Sequence, residues 1–478
     1  MKKIVLVYLI LFSVFLFGQA PKRFYTKFGG YGVDIGYSGK PTLDRHYIVA
    51  GSTSSYGAGN TDVYLVKVDS MGFPIWEKTF GGFNNDVGRS VIQLPDSGYV
   101  VAGFTNSFGA GGYDVYLVRT DKNGNLVWQK TFGGLDWDFA YDVVLAADGD
   151  IVVCGHTSSM GAGKKDGLLL KYDLFGALVW QKTIGGIENE ELKSVIKTND
   201  GFLATVGYTE SNGEINGDMY FYKFDLGGNT IFYHINGGPN RDYATDIVQK
   251  FNNDYVICGA KTYTSDPYPR GFIHSITSTG VLVWESDYTS NINNGEFSST
   301  TNSYQNGGLN TFVRSREVSG FKAQADLFVA FFNGFSYKIN GSGGTEDEFI
   351  YSVEALSDGG YVSVGSTRSF GSIGEDVYLI RHDSTVYNYS SVVGVKKNQK
   401  NSVPYIFQKD DKVNIVFVDE NLISLELVDI TGRVLNTFLI REEDTDLKID
   451  VSQIPGSVYF VRLKFKDGQI YNRKLIIN

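Results

Sequence analysis

The amino-acid sequence predicts an all-β protein: a β-propeller of about seven blades, followed by a small C-terminal β-sandwich-like domain. Glycine pairs recur about every 52 residues, and self-similarity at such a period is typical of a propeller or a solenoid. Val, Ile, Tyr, Phe and Thr dominate the segments between the turns, and Pro is scarce at 9 residues, which favours many short strands. The glycine pairs begin at Gly29, Gly81, Gly133, Gly185, Gly237 and Gly343, the last interval spanning two periods.

Each repeat is predicted to form four antiparallel strands. In the second repeat we expect them at Ser90–Leu94, Gly98–Thr105, Asp114–Thr120 and Asn125–Thr131. Asp and Gly in the hairpins between them supply the side-chain acceptor and the positive φ that tight turns require. Four such strands per repeat, arranged radially, make a propeller blade.

The two ends of the repeat array complement each other. The seventh repeat lacks a fourth strand after Asp383, whereas the segment Phe24–Gly30 resembles a fourth strand that has no preceding three. We therefore expect the N-terminal segment to form the outer strand of the last blade, which covers a sheet edge that would otherwise favour aggregation. The sixth repeat, roughly Ser290–Tyr337, is degenerate.

A motif of Asp, Gly and Trp marks the last hairpin of several repeats. Asp69, Gly72 and Trp76 show its spacing, which recurs around Trp128 and Trp180. We expect a hairpin turn followed by an aromatic ring wedged between neighbouring blades. The spacing resembles the tryptophan-docking motif of quinoprotein-like propellers, and this resemblance implies a similar packing of blades and, by itself, no quinone chemistry.

The N-terminus and the charge bear on location and partners. Residues 1–20 contain two lysines, an apolar run and a small residue at Ala20, the pattern of a secretory signal peptide. No later apolar stretch approaches the roughly 20 residues of a membrane helix, so no transmembrane segment is expected in the mature protein. The net charge of −10, without a basic cluster, argues against nucleic acid as a partner.

Acidic residues recur at one place near the start of each repeat. This acidic series comprises Asp34, Asp86, Asp138, Glu190, Asp242 and Glu348, with Glu296 as a further member in the sixth repeat. Each carboxylate could cap backbone N–H groups of its own loop, which is the favoured interpretation. A ring of carboxylates at the channel mouth could instead hold a hard cation such as Ca²⁺; no other cofactor is evident.

A second acidic series opens the third strand of the repeats, where capping of the preceding loop is expected. Its members are Asp62, Asp114, Asp166, Asp218, Asp326 and Asp376. Because strands alternate in direction, both acidic series should lie on one face. The loops before the second series carry large apolar residues, among them Tyr56, Phe108 and Phe370, which either contact a ligand or fold back to cover their own loops.

Features typical of a catalytic centre are hard to find. The five histidines show no metal-binding spacing, and neither a nucleophile elbow nor a phosphate-binding loop occurs. Cys154 and Cys258 fall at equivalent strand positions, where small buried apolar residues are expected. The favoured function is a non-catalytic module that binds a polysaccharide or a surface protein. The alternative is an extracellular glycan-active enzyme or a quinoprotein-like oxidoreductase, with its site at the channel mouth.

Two repeats depart from the pattern and are therefore functional suspects. The fifth contains the insertion Tyr263–Arg270, and the sixth is irregular over Asn291–Arg316. An enzyme would be expected to concentrate its chemistry in such divergent loops, whereas a binding module would gain avidity from several equivalent contacts.

The C-terminal residues differ from the repeats. The segments Leu427–Arg433, Ile449–Phe460 and Arg473–Asn478 resemble the C-terminal sorting domain of type IX secretion cargo in Bacteroidetes. The motif residues are Gly432, Pro455, Gly456, Tyr459 and Lys474. The resemblance implies the type IX secretion machinery as a partner and a final location at the cell surface or outside the cell. The predicted organisation is a signal peptide (1–20), propeller (21–388), linker (389–402) and sorting domain (403–478).

Overall fold

The structure is a computed structural model, and all its described elements are strands. It describes residues 24–211, 216–263, 266–287, 295–302, 309–315, 327–332, 337–342, 348–368, 374–382, 405–409, 412–416, 422–429, 433–440, 446–450, 454, 457–466 and 470–477. The predicted signal peptide and linker lie outside these residues and stay predictions. Within the described part, no helix has the length and apolarity needed to cross a membrane.

The repeats form seven antiparallel blades of four strands, and the first four follow the chain order. The fifth and sixth blades are joined into one sheet by a parallel pairing of Arg270 with Gly295. The first blade contains β2 (Asp34–Pro41), β3 (Tyr47–Thr53), β4 (Asp62–Val68) and β5 (Pro74–Phe80). The second contains β6 (Asp86–Gln93), β7 (Tyr99–Thr105), β8 (Asp114–Thr120) and β9 (Leu126–Phe132). The third contains β10 (Asp138–Leu145), β11 (Ile151–Thr157), β12 (Asp166–Tyr172) and β13 (Leu178–Ile184). The fourth contains β14 (Glu190–Lys197), β15 (Leu203–Thr209), β16 (Asp218–Phe224) and β17 (Thr230–Asn236).

The later blades include the two irregular repeats and the strand β1 (Phe24–Phe28). The fifth blade contains β18 (Asp242–Gln249), β19 (Tyr255–Tyr263), β20 (Asp266–Ile276) and β21 (Leu282–Asp287). The sixth contains β22 (Gly295–Asn302), β23 (Leu309–Ser315), β24 (Leu327–Phe332) and β25 (Tyr337–Ser342). The seventh contains β26 (Glu348–Ala355), β27 (Tyr361–Thr367) and β28 (Asp376–His382), and β1 completes it.

The first strand of each blade begins earlier than the sequence predicts. In the second blade β6 begins at Asp86 rather than at Ser90, and Asp86 pairs with Thr105. Asp and Gly have low strand propensity, so the sequence pattern does not predict a strand over this stretch. The backbone ladder includes them because their neighbours pair across β7, with one irregularity between Gly88 and Ser90.

The N-terminal strand completes the last blade, as predicted. β1 pairs antiparallel with β28, with Phe24 opposite Arg381 and Phe28 opposite Val377. Lys27 forms an ion pair of 2.7 Å with Asp376 across this pairing. Phe28 is buried in one apolar cluster with residues of the first and last blades, so the two ends of the array are held together by hydrogen bonds and by apolar contact.

The tryptophan wedges between blades are also confirmed. Trp76 lies edge-on to Tyr99 of the next blade, with 5.9 Å between ring centroids. The indole N–H of Trp128 donates to the carbonyl of Leu174 at 3.2 Å, which satisfies the one polar group of a partly buried indole. Cys154 and Cys258 are free and buried, in agreement with the packing role predicted for them.

The first strands of the blades surround the central channel. Each contacts the first strand of the next blade, and β26 of the seventh blade contacts β2 of the first. The faces of β2, β6, β10, β14, β18, β22 and β26 therefore line the axis of the propeller. Side chains on these strands are the ones that a ligand entering the channel would meet.

The C-terminal region forms two small sheets that share a core. One contains β29 (Tyr405–Lys409), β30 (Lys412–Val416) and β33 (Asp446–Asp450). The other contains β31 (Leu422–Asp429), β32 (Val434–Leu439), β34 (Ser457–Phe465) and β35 (Ile470–Ile477). Ile449 of the first sheet packs with Leu427 and Val461 of the second, which gives the β-sandwich-like arrangement predicted. β29 was not foreseen.

Candidate binding site at the channel mouth

The acidic series lies buried at the start of the first strands, where its carboxylates bind their own blades. Asp34 accepts hydrogen bonds from the backbone N–H of Gly30 at 2.7 Å and from the Ser55 hydroxyl at 2.6 Å. The Thr53 hydroxyl donates to its other oxygen. Each carboxylate oxygen of Asp34 therefore has a donor from the surrounding loops, which is the capping arrangement.

The same arrangement recurs in other blades with different donors. Glu190 accepts from the backbone N–H groups of Gly186 at 2.8 Å and Ser211 at 3.0 Å. Asp242 accepts from the N–H of Gly238 at 2.7 Å. Among the described residues, no group of three or more His, Cys, Asp or Glu is arranged to hold a metal ion; a Ca²⁺ site stays a prediction.

The two acidic series meet across the first glycine of each pair. Asp62 accepts from the backbone N–H groups of Ala58 and Gly59 at 3.0 and 3.1 Å, as predicted for the second series. A Cβ atom at Gly81 would lie 2.2 Å from an oxygen of Asp62 and 2.5 Å from an oxygen of Asp86. Only glycine fits there. Burial raises the pKa of Asp62, and the nearby charge of Asp86 raises it further.

The sixth blade departs from the acidic series. The strand register places Gly295, opposite Ser315, at the position of the carboxylate, so the prediction of Glu296 as a member is wrong by one residue. The error arose because neighbouring turns are irregular and only the pairing fixes the register. Glu348 begins β26 as predicted, and its side chain lies outside the described residues.

The aromatic residues of the loops fold back onto their own blades. The Tyr56 hydroxyl donates to the carbonyl of Gly29 at 2.8 Å, and its ring lies 6.0 Å from that of Tyr64. The Phe108 ring lies 5.8 Å from that of Tyr116. Both rings stay partly exposed. Packing against their own blades therefore accounts for only part of each ring surface. Phe370 lies outside the described residues.

The structure reveals a further series that the sequence reasoning missed. The first strand of each blade has a register irregularity three residues after the acidic position, and one bulged residue sits there. Such β-bulges re-aim a side chain and are frequent next to functional sites. The bulged residues, called here the bulge series, are Tyr37, Arg89, Tyr141, Lys193, Thr245, Ser298 and Tyr351.

Five members of the bulge series form a continuous arc inside the channel. The Arg89 guanidinium lies over the Tyr37 ring at 4.2 Å and 5.9 Å from the centroid of Tyr141. The Lys193 ammonium also lies over the Tyr141 ring, 3.9 Å from its centroid. The rings of Tyr37 and Tyr351 are 5.1 Å apart. The arc therefore combines three aromatic rings with two cations across five blades.

Charged groups surround Tyr141 and Lys193. Glu191, on the same strand as Lys193, forms ion pairs with Lys193 and, at 3.1 Å, with Lys165. These two cations hold the pKa of Glu191 at about 2 even though burial opposes its charge. His156 contacts the Tyr141 hydroxyl at 3.1 Å. Burial lowers the pKa of His156 to about 4, so this imidazole is neutral at physiological pH.

A belt of Ser and Asp side chains lies directly below the bulge series. Asp142 accepts from the Ser90 hydroxyl at 2.7 Å and from the backbone N–H of Val195 at 2.9 Å. Asp246 accepts from the Ser194 hydroxyl at 2.6 Å and from the backbone N–H of Thr300, in the sixth blade, at 2.8 Å. Burial raises the pKa of Asp142. Each of these carboxylates links its own blade to both neighbours, so together they join the second to the sixth blades around the axis.

The belt continues across the junction of the last and first blades. The backbone N–H of Val353 donates to the Ser299 hydroxyl at 3.3 Å, and that of Gly39 donates to the Ser352 hydroxyl at 3.4 Å. The Lys40–Glu354 ion pair, at 2.6 Å, crosses the same junction. Inner-edge backbone N–H groups at this depth are thus already bonded to side chains of the preceding blade.

The bulge series can be recognised in the sequence by its variation: the residue type at this position changes from blade to blade. Ser is the common belt residue, and Asp142 and Asp246 depart from it; the residue before it changes from Tyr to Arg to Lys between blades. The positions that repeat are the ones that build the fold, so they dominate the sequence pattern. Positions that vary within a regular strand are the ones free to carry binding specificity.

Residues 409–478 match the family model of the secretion system C-terminal sorting domain. The predicted type IX sorting domain is thereby confirmed, and a domain of this kind indicates export to the cell surface or release from the cell. Tyr459 is buried in its core. Lys474 lies in β35, and the predicted motif residues Gly432, Pro455 and Gly456 lie outside the described residues.

The chain is also similar to proteins of diverse kinds. It is 25% identical to regulatory protein FlaEY of Caulobacter vibrioides over 45% of this chain, and the match spans only 25% of that relative. PorZ, a surface component of the type IX secretion system of Porphyromonas gingivalis, is 13% identical with a TM-score of 0.45 over 94% of this chain and 60% of its own. A puromycin hydrolase is 12% identical with a TM-score of 0.46, over 93% and 58%.

Proposed function

We propose that this chain, whose residues 409–478 form a type IX secretion sorting domain, is an exported β-propeller that binds a glycan or a protein at its channel mouth. The arc of Tyr37, Arg89, Tyr141 and Lys193 is the single observation that supports this proposal most strongly. Binding sites are concave, and they combine aromatic surface with a few polar groups that fix the orientation of the ligand. The arc supplies the aromatic surface and the polar groups.

The electrostatics around Tyr141 argue against this phenol as a general base. Burial raises the pKa of Tyr141, and the negative charge of Glu191 raises it further. A phenol with a raised pKa is a poor general base at neutral pH. His156 is neutral but almost entirely buried, so it supports Tyr141 from behind rather than facing the channel. The glycan-active alternative stays an outcome of the test.

The test is a glycan and surface-protein binding screen on the purified full chain, run together with a screen for glycan hydrolysis and lyase activity. We expect binding without turnover, and loss of at least tenfold in affinity when Tyr37 and Tyr141 are both replaced by Ala. Tyr233→Ala is the matched control because this ring is exposed on an outer strand, away from the channel. Turnover of a glycan, or equal loss in the control, would contradict the proposal.

A further inference from the structure

Arg89 stands out among the cations of the channel mouth because no carboxylate neutralises it. Within the described residues its guanidinium makes ring contacts with Tyr37 and Tyr141 and has no ion pair or side-chain hydrogen bond. By contrast, Lys193 and Lys165 both pair with Glu191. The N–H groups of a guanidinium lie in the plane of the group, so stacking that plane on aromatic rings leaves them free to donate. Two of them can then form parallel hydrogen bonds to one carboxylate.

A second stacked arginine lies near the same mouth. Arg241 precedes the first strand of the fifth blade, and its guanidinium lies 5.0 Å from the Tyr208 ring and 5.4 Å from the Tyr243 ring. It forms no ion pair among the described residues. Four cations, Lys165, Lys193 and the two arginines, therefore lie near this mouth in a chain whose net charge is −10.

We infer that the channel mouth binds a carboxylated sugar, such as the uronate at the end of an acidic glycan, with its carboxylate on Arg89; this rests on the proposed binding function. The carboxylate matches the geometry of the free guanidinium fork. The apolar C–H face of a sugar ring packs against an aromatic face, which Tyr37, Tyr141 and Tyr351 supply around Arg89.

The Ser and Asp belt argues against an acidic peptide as the ligand. Peptides commonly bind by adding a strand to an exposed sheet edge, which requires free backbone N–H groups. The inner-edge N–H groups of Gly39, Val195 and Val353 already donate to side chains of neighbouring blades.

The test is calorimetric titration of the full chain with three probes of similar size: a glucuronate-terminated oligosaccharide, the same oligosaccharide ending in glucose, and an acidic tetrapeptide. We expect the uronate-terminated probe to bind at least tenfold more tightly than the other two, and this preference to disappear in Arg89→Gln. Arg89→Lys keeps the positive charge but lacks the paired N–H donors of the guanidinium, so it should lose part of the affinity. Lys122→Gln, on an exposed turn at the opposite end of the blade, is the control and should bind as the native chain does.

Thermal unfolding of each variant shows whether it is folded, and Arg89→Lys keeps the inference testable should Arg89→Gln unfold. Preferential binding of the neutral probe or the peptide, or unchanged uronate binding in both Arg89 variants, would overturn the inference while leaving a binding propeller intact. Failure of the wider screen to find any ligand would instead remove the proposed function itself.

Discussion

At the residue scale, carboxylates that look like ligands in the sequence are fixed parts of the blades. Asp34 and Glu190 are buried and accept hydrogen bonds from their own loops. A buried carboxylate with charged hydrogen bonds to backbone N–H groups is stabilising, and it is costly to leave such donors unpaired. The acidic series therefore recurs because every blade needs the same loop to be held.

One consequence concerns the response of stability to pH. Burial raises the pKa of Asp62 above its ordinary value, and the negative charge of Asp86 adds to the effect. A carboxyl group with a raised folded pKa gains stability as the pH falls through that pKa, because the folded state then binds the proton more tightly. Asp62→Asn lacks this gain. We expect the stability of the variant relative to the native chain to fall as the pH is lowered from 7 towards 4.

Asp121→Asn is the control with the opposite sign. Asp121 lies on an exposed turn, and hydrogen bonds from Asn125 and Asn123 lower its pKa although slight burial opposes them. Its contribution is present at neutral pH and is lost on acidification, so the relative stability of this variant should rise as the pH falls. Chemical unfolding at several pH values measures both slopes. Equal slopes for the two variants would contradict the assignment.

At the element scale, the N-terminal strand is both an edge cover and a core component. β1 supplies the fourth strand of the seventh blade, and its Phe28 is buried among residues of the first and last blades. Without β1 the hydrogen-bonding edge of β28 would be exposed, and an unpaired edge is a site of aggregation. This strand was predictable because its sequence matches outer strands elsewhere in the chain, while the seventh repeat lacks one.

We therefore expect a chain that begins at Gly29 to be markedly less stable than one that begins at Phe24. Losing Phe28 alone should cost about 3–5 kcal/mol, the usual range for removing a buried aromatic side chain. Thermal unfolding and light scattering measure the loss of stability and the aggregation. The chain beginning at Phe24 is the matched control, since it also lacks residues 1–23 but retains the strand. Equal unfolding temperatures would show that β1 does not hold the propeller.

At the scale of the whole molecule, the propeller and the sorting domain are built from separate cores. The C-terminal cluster comprises Leu425, Leu427, Val461 and Leu463, with other residues of the same region and none of the blades. Removal of the C-terminal region should therefore leave the propeller folded while abolishing its export signal. The sequence motifs and the family match concern this region alone.

Deletion of residues 403–478 should leave the protein in the periplasm of a bacterium that uses type IX secretion. Surface labelling and protease accessibility on intact cells measure the location. The Arg89→Gln variant serves as a control, because a change in the channel should not affect sorting and this variant should reach the surface. Normal surface display of the deleted chain would contradict the prediction.

The sequence by itself determined the repeat, the four strands of a blade, the strand shared between the chain ends and the sorting domain. These features depend on local patterns that the blades repeat, or on a motif within one short region. They can therefore be predicted without knowledge of three-dimensional contacts. The tertiary structure decided the register of the sixth blade, the donors of each carboxylate and the arc of Tyr37, Arg89, Tyr141 and Lys193. The arc joins residues about 52 positions apart, and only the packing of successive blades around one axis brings their side chains into contact.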